Sequence, residues 1–204
     1  MTFHQLPFIL ASSSARRQEL LKKMGIIPDH IYSPDIDETP HPHEHPTQYV
    51  QRIANQKWLA ARLHCPSQSI LLTADTCVTV GKRILPKALN NEDVAMCITL
   101  LSRRRHYVYT SITIGIIIDG HIYYKKNYLD KNIVRFRYID NKTLDHYINT
   151  QEGIGKAGGY AIQGYGESLI EWIHGTHASI MGLPLHKLQH ALNSMESVLT
   201  SGQI

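Results

Sequence analysis

The sequence predicts a mixed-sheet α/β fold. Short apolar runs of strand length alternate with amphipathic segments of helical period. Two tight-turn signals, "GK" at 81–82 and "DG" at 119–120, each join two strand-like runs, so some neighbouring strands must be antiparallel. A hydrophobic share of 43% over 204 residues is enough for a sizeable core.

Residues 8–11 form the first buried strand. Residues 15–24 read as a helix with Leu20, Leu21 and Met24 on its apolar face, Ser14 as N-cap and Gly25 as its stop. The serines of "LASSSARR" therefore lie where a strand hands over to a helix. Free N–H groups and the helix dipole favour an anion there, and Arg16 and Arg17 add two forks that suit phosphate. A capped helix with solvated arginines is the alternative. "HPHEHP", with His41, His43 and His45, cannot be helical, matches no tetrahedral metal spacing and reads as a polar surface loop. Residues 47–63 form a helix. Residues 70–74 make an apolar strand, and 76–80 pairs with 83–85 in a hairpin. A helix over 91–101 shows Val94, Cys97, Ile98 and Leu101 on one side. Residues 106–118 and 121–128 form a second hairpin. Val134, Phe136 and Tyr138 alternate with Arg135 and Arg137 in a half-exposed strand. A helix over 140–149, a glycine-crowded stretch over 153–166, a short strand over 169–173 and a last helix opened by Pro184 complete the chain.

No repeat or low-complexity linker marks a domain boundary, so residues 1–204 read as one domain. Nothing resembles a membrane span or a signal peptide. Cys65, Cys77 and Cys97 are an odd, unclustered set, which fits a reducing cytoplasm and argues against a disulfide framework or a zinc site. The net charge of +4 suits anionic ligands but falls short of the dense basic patches of nucleic-acid binders.

Three positions disagree with their surroundings. Lys57 falls in the middle of the stripe formed by Val50, Ile53, Ala54 and Ala61, so it must snorkel, meet a carboxylate or reach into a cleft. Asp75 ends the apolar run "ILLTAD", and ligands gather beyond strand ends in α/β folds. In "KAGGYAIQG" the glycines let backbone approach a ligand, and Gln163 carries the amide needed to read a base edge. Neither a G-x-x-x-x-G-K-[ST] loop nor a G-x-G-x-x-G after a strand is present.

"LASSSARRQELL", "DIDE", "YVQRIANQK", "ADT", "KAGGYAIQG" and "GLPL" follow one another in the order and approximate spacing of the Maf-type nucleotide pyrophosphatases, which the chain resembles from Ile9 to about Leu192. The resemblance implies an elongated mixed sheet in two lobes around a deep cleft, akin to the inosine triphosphate pyrophosphatases. It implies hydrolysis of a nucleoside triphosphate to the monophosphate and pyrophosphate with a divalent metal, Mg²⁺ or Mn²⁺. Carried over position by position, it implies a phosphate loop of Ser12, Ser14, Arg16 and Arg17, an acidic residue Glu38, the helix lysine Lys57, the general base Asp75 and a second phosphate-side lysine, Lys87. Asp75 and Glu38 would hold the metal. Ala15 replaces the usual Pro, "PKA" at 86–88 replaces Gly-Lys-Pro, and Arg103 stands where Gly is expected. Arg17, Thr76 and Gln163 resemble the subgroup acting on dTTP and UTP, whereas Trp, Gln and Glu would mark action on 7-methyl-GTP. The expected partner is the nucleotide, with a homodimer left open and neither nucleic acid nor membrane called for. A non-catalytic nucleotide- or RNA-binding module, carried by "SRRRH" with Arg135 and Arg137, is the rival reading. A regulator of division or septation, a role known for the family, could coexist with the enzyme.

Overall fold

The computed structural model describes residues 6–200. Seven strands and six α-helices alternate along them: β1 (Phe8–Leu10), α1 (Ala15–Lys23), β2 (His30–Ile31), α2 (Pro46–Arg62), β3 (Ser69–Val80), β4 (Arg83–Leu85), α3 (Asn91–Leu101), β5 (Arg105–Ile118), β6 (His121–Phe136), α4 (Asn141–Asn149), β7 (Ile170–His174), α5 (His177–Met181) and α6 (Leu185–Thr200). The sheet order is β2-β1-β3-β5-β6-β7, with β4 paired to β3. β1 runs parallel to β2 and β3, while β3–β4 and β6–β7 are antiparallel, so the predicted mixed sheet is present.

Two predicted breaks are absent. β3 is one strand of twelve residues, so Asp75 lies within it and not at its end. The carboxylate interrupts an apolar pattern, but the backbone stays extended because its charge is met elsewhere. Likewise β6 runs unbroken through 121–136 and merges two predicted strands, stopping short of Tyr138. β2, α5 and a 3₁₀ turn over Tyr165–Leu169 were not foreseen, each being five residues or fewer.

The chain divides into two compact units. The first holds the stretch up to Asp75, Ser111–Leu129 and the stretch from Gly182 onward; the second holds Thr76–Thr110 and Asp130–Met181. In the first, α2 lays Trp58 and Ala61 against Ile9, Ala11, Leu71 and Ile117. Trp58 is fully buried, so its indole N–H needs a partner, and it donates to the Leu71 carbonyl at 3.0 Å. Thr73 anchors the same helix by donating to the Ala54 carbonyl at 2.7 Å. α2 starts at His45, whose ring nitrogen accepts from the Thr47 N–H, so one histidine of the polar loop is a helix cap.

In the second unit α3 buries Val94, Cys97, Ile98 and Leu101, as its periodicity predicts. The glycine-rich stretch is stitched to 86–88: Ala88 N–H donates to the Lys156 carbonyl at 3.1 Å, Gly155 N–H to Ala88 at 2.7 Å and Gly158 N–H to Pro86 at 3.2 Å. Gly158 has φ +67°, and a Cβ there would meet Val78 Cγ1 at 2.8 Å, so both backbone and packing require glycine.

Candidate active site

Asp75 and Lys57 were each anomalous in sequence, and the first unit brings them together. Lys57 projects from α2 so that Nζ lies 2.9 Å from Asp75 Oδ1 and 2.7 Å from Glu38 Oε1. Its side chain is 12% exposed, so of the three fates open to it the lysine has met carboxylates and does not snorkel. Asp75 is 5% exposed, and burial raises its pKa above the ordinary carboxylate range. Lys57 and then Arg17 pull it back down, while Glu38 pushes it up.

Arg17 comes from the first half of α1, on the far side of the serine run. Its Nη1 donates to Ser12 Oγ at 2.8 Å and its Nε to the Gly182 carbonyl at 2.9 Å, which explains why "GLPL" belongs with the first loop. Burial lowers the Arg17 pKa and Asp75 raises it again. Ser12 is buried; besides Arg17, its Oγ takes the Ser14 N–H at 3.3 Å. Ser14 occupies the N-cap of α1, yet its side chain makes no capping bond. Within the first turn the Arg17 N–H turns back to the Ser14 carbonyl at 3.1 Å, and no side-chain cap competes with an anion for the others. Arg16 beside them is half-buried, which lowers its pKa.

The segment carrying Glu38 has no regular structure, so something must hold it. Tyr49 Oη donates to the Glu38 carbonyl at 3.0 Å. Arg52 Nε and Nη2 grip both oxygens of Glu44 at 2.7 Å, and Nη2 also reaches the Thr39 carbonyl at 3.0 Å. This bidentate pair holds the Glu44 pKa down at about 2. Tyr49, Arg52 and Glu44 escaped the sequence reading, although Tyr49 and Arg52 sit in "YVQRIANQK" beside Lys57.

Thr76, Lys87 and Gln163 belong to the second unit. Thr76 Oγ1 lies 3.1 Å from Thr110 Oγ1, Lys87 is exposed and bridges to Ala157 in backbone pairing, and Gln163 is exposed. Among the described residues no group of three or more His, Cys, Asp or Glu could hold a metal alone. The pair Glu38 and Asp75 nevertheless accommodates a cation now, the Lys57 ammonium. Two carboxylates suit Mg²⁺, which keeps several waters and takes further oxygens from phosphate. No helix among the described residues is long and apolar enough to cross a membrane.

Known proteins share this arrangement of sequence. A protein called nucleoside triphosphate pyrophosphatase from Rickettsia akari is 42% identical over 190 residues, 93% of this chain and 94% of its own. A protein of the same name from Rickettsia canadensis is 41% identical with the same coverage. A dITP/XTP pyrophosphatase structure from Mycobacterium abscessus aligns over 96% of this chain and 97% of its own at 13% identity, with a TM-score of 0.42. The model of the family described as Maf-like protein matches residues 7–195, and with that match and those identities the chain belongs to the Maf-like family.

Proposed function

We propose that this chain is a nucleoside triphosphate pyrophosphatase, cleaving its substrate to the monophosphate and pyrophosphate with preference for dTTP and UTP. The observation that carries the reading is Asp75: a carboxylate with a raised pKa, buried within a strand, beside Lys57 and an anion-receptive helix end. The relatives' names support the same activity.

Arg16, Arg17 and the N-terminus of α1 bind the triphosphate. Arg17 is held in place by Ser12 and Gly182, so little side-chain freedom is lost on binding. Asp75 accepts the proton of the attacking water, and its raised pKa makes it a stronger base than an ordinary carboxylate. The water oxygen bonds to phosphorus as the anhydride bond between the α and β phosphates breaks, and pyrophosphate leaves. Lys57 neutralises charge and keeps Asp75 oriented. A divalent ion held by Glu38 and Asp75 would screen the phosphates and acidify a water. Gln163 matches a pyrimidine imide, whose two carbonyls flank one N–H.

Pyrophosphate release from dTTP, UTP, 7-methyl-GTP and ATP with Mg²⁺ tests both levels. Higher kcat/KM for dTTP and UTP is expected. If 7-methyl-GTP or ATP leads, the preference fails; if none is cleaved, the activity fails.

A further inference from the structure

The second unit carries a basic, aromatic surface that this chemistry does not use. Two backbone bonds create it: Arg103 N–H donates to the Arg137 carbonyl and Phe136 N–H to the Arg104 carbonyl, each at 3.2 Å. They lay the exposed run 103–105 beside the half-buried Arg135 and Arg137, so five arginines lie at one end of β5 and β6, with the Arg137 guanidinium donating to the Ser168 and Tyr138 carbonyls. The edge strand β7 adds Trp172, which pairs in register with Arg135 and is 39% exposed. Tyr138, 57% exposed, lies under the Arg103 guanidinium at 4.5 Å. Two acidic groups lie among them: Arg135 pairs with Glu171 at 2.8 Å on the surface, and the pKa of the exposed Asp140 is drawn down by Thr143 first and by Arg137 among others.

Arg103 is the telling residue. It sits at φ +60°, a left-handed conformation that residues other than glycine adopt uncommonly.

From this surface we infer that the second unit binds single-stranded nucleic acid, with Arg103, Arg104 and Arg105 following the phosphates and Trp172 and Tyr138 stacking on bases. Closely spaced guanidinium groups match a polyanion, and exposed rings on a sheet edge offer faces to unstacked bases of any sequence. Mononucleotide hydrolysis needs neither feature. Such binding would set this chain against the expectation drawn from its modest net charge, because the charge is gathered on one surface.

Trp172 makes the test direct. The only other tryptophan, Trp58, is fully buried, so an added oligonucleotide quenches Trp172. The full chain is titrated with oligo(dT) and oligo(U) of about 15 nucleotides, a length that covers a typical single-strand site, by tryptophan fluorescence and by anisotropy of labelled oligomer. Saturating nucleotide and no metal keep the hydrolytic site occupied and silent. Expected are saturable quenching at low salt and a slope of log K against log salt of about −2 to −3, as three or four phosphate contacts require. Trp172→Ala should weaken binding about tenfold. Arg103→Gly should weaken it several-fold while the melting temperature holds or rises, an outcome that a merely structural arginine would reverse. Both variants should keep wild-type nucleotide hydrolysis. Absence of binding at low salt, or binding indifferent to both variants, overturns the inference. So does a wild-type dimer that Trp172→Ala turns into a monomer without any oligonucleotide affinity, since the surface would then serve a second copy.

Discussion

Lys57 Nζ stands 2.9 Å from Asp75 Oδ1, and each group is what makes the other's burial tolerable. Lys57→Met therefore leaves Asp75 without its nearest cation and raises a pKa that burial has already raised. At acid pH Asp75 is protonated in both proteins and the lost attraction matters little. Between the wild-type Asp75 pKa and the variant's higher one, the variant's carboxyl alone stays protonated in the fold, so the variant goes on losing stability as pH rises and the difference levels off above that window. The stability difference should grow with pH to about 3 kcal/mol. Urea unfolding at pH 5 and pH 8 measures it, and an equal offset at both values would mean that Lys57 acts through packing.

Asp75→Asn keeps the shape of the side chain and removes the base. Turnover should drop about 10²–10⁴-fold while the circular dichroism spectrum is unchanged. A folded variant with near-full pyrophosphate release would exclude Asp75 as the base.

Glu44→Gln tests whether the clamp on Arg52 holds the segment that carries Glu38. Because Arg52 depresses the Glu44 pKa to about 2, the carboxylate stabilises the fold above its unfolded value of about 4.5. That contribution fades as pH falls from there toward 2. The variant should melt about 2–4 °C below wild type at pH 7, as loss of about 1 kcal/mol implies. The gap should narrow below about pH 4.5 and close only near pH 2, and kcat should fall more than KM rises. Equal melting temperatures at pH 7 would count against the clamp.

His106 is fully buried in the second unit, with Nε2 2.9 Å from Tyr160 Oη and its ring edge-on to Phe136. Burial depresses its pKa to about 3, the Arg104 backbone pulling the other way. Between about pH 6.5 and 3 the unfolded chain takes up a proton that the folded chain refuses, so stability declines as pH falls. His106→Phe combined with Tyr160→Phe removes the titrating group without stranding the phenol. The double variant should flatten the acid limb by up to about 1.4 kcal/mol per pH unit over that range. An unchanged slope would assign the acid sensitivity elsewhere.

Much of this was legible in the residues themselves. Lys57 stood out because a charge cannot sit on an apolar stripe without a partner, and the partner exists. The helices over 91–101 and 141–149 follow from periodicity, and Asn90 and Asp140 cap them. The misreading of Asp75 as a strand end has a physical cause. A lone buried carboxylate is so unfavourable that a local pattern marks it as a boundary. The groups that relieve it, Lys57 and Arg17, lie 18 and 58 positions away, outside any window of period or propensity. Arg52 escaped for the same reason: its partner Glu44 sits in an irregular segment with no pattern to read. The arginines of "SRRRH" with Arg135 and Arg137 stood out in sequence, but neither net charge nor spacing says which strands bring them side by side.

β3 passes from one unit to the other between Asp75 and Thr76, and the chain makes the same passage at three further points. Neither unit is a continuous stretch of the gene. No single cut yields either one intact, and a truncation after any crossing leaves parts of both. A recombination event could not transplant the half bearing Asp75 into another protein as a block. What can be inherited or exchanged is the whole chain, with each strand that it threads through both.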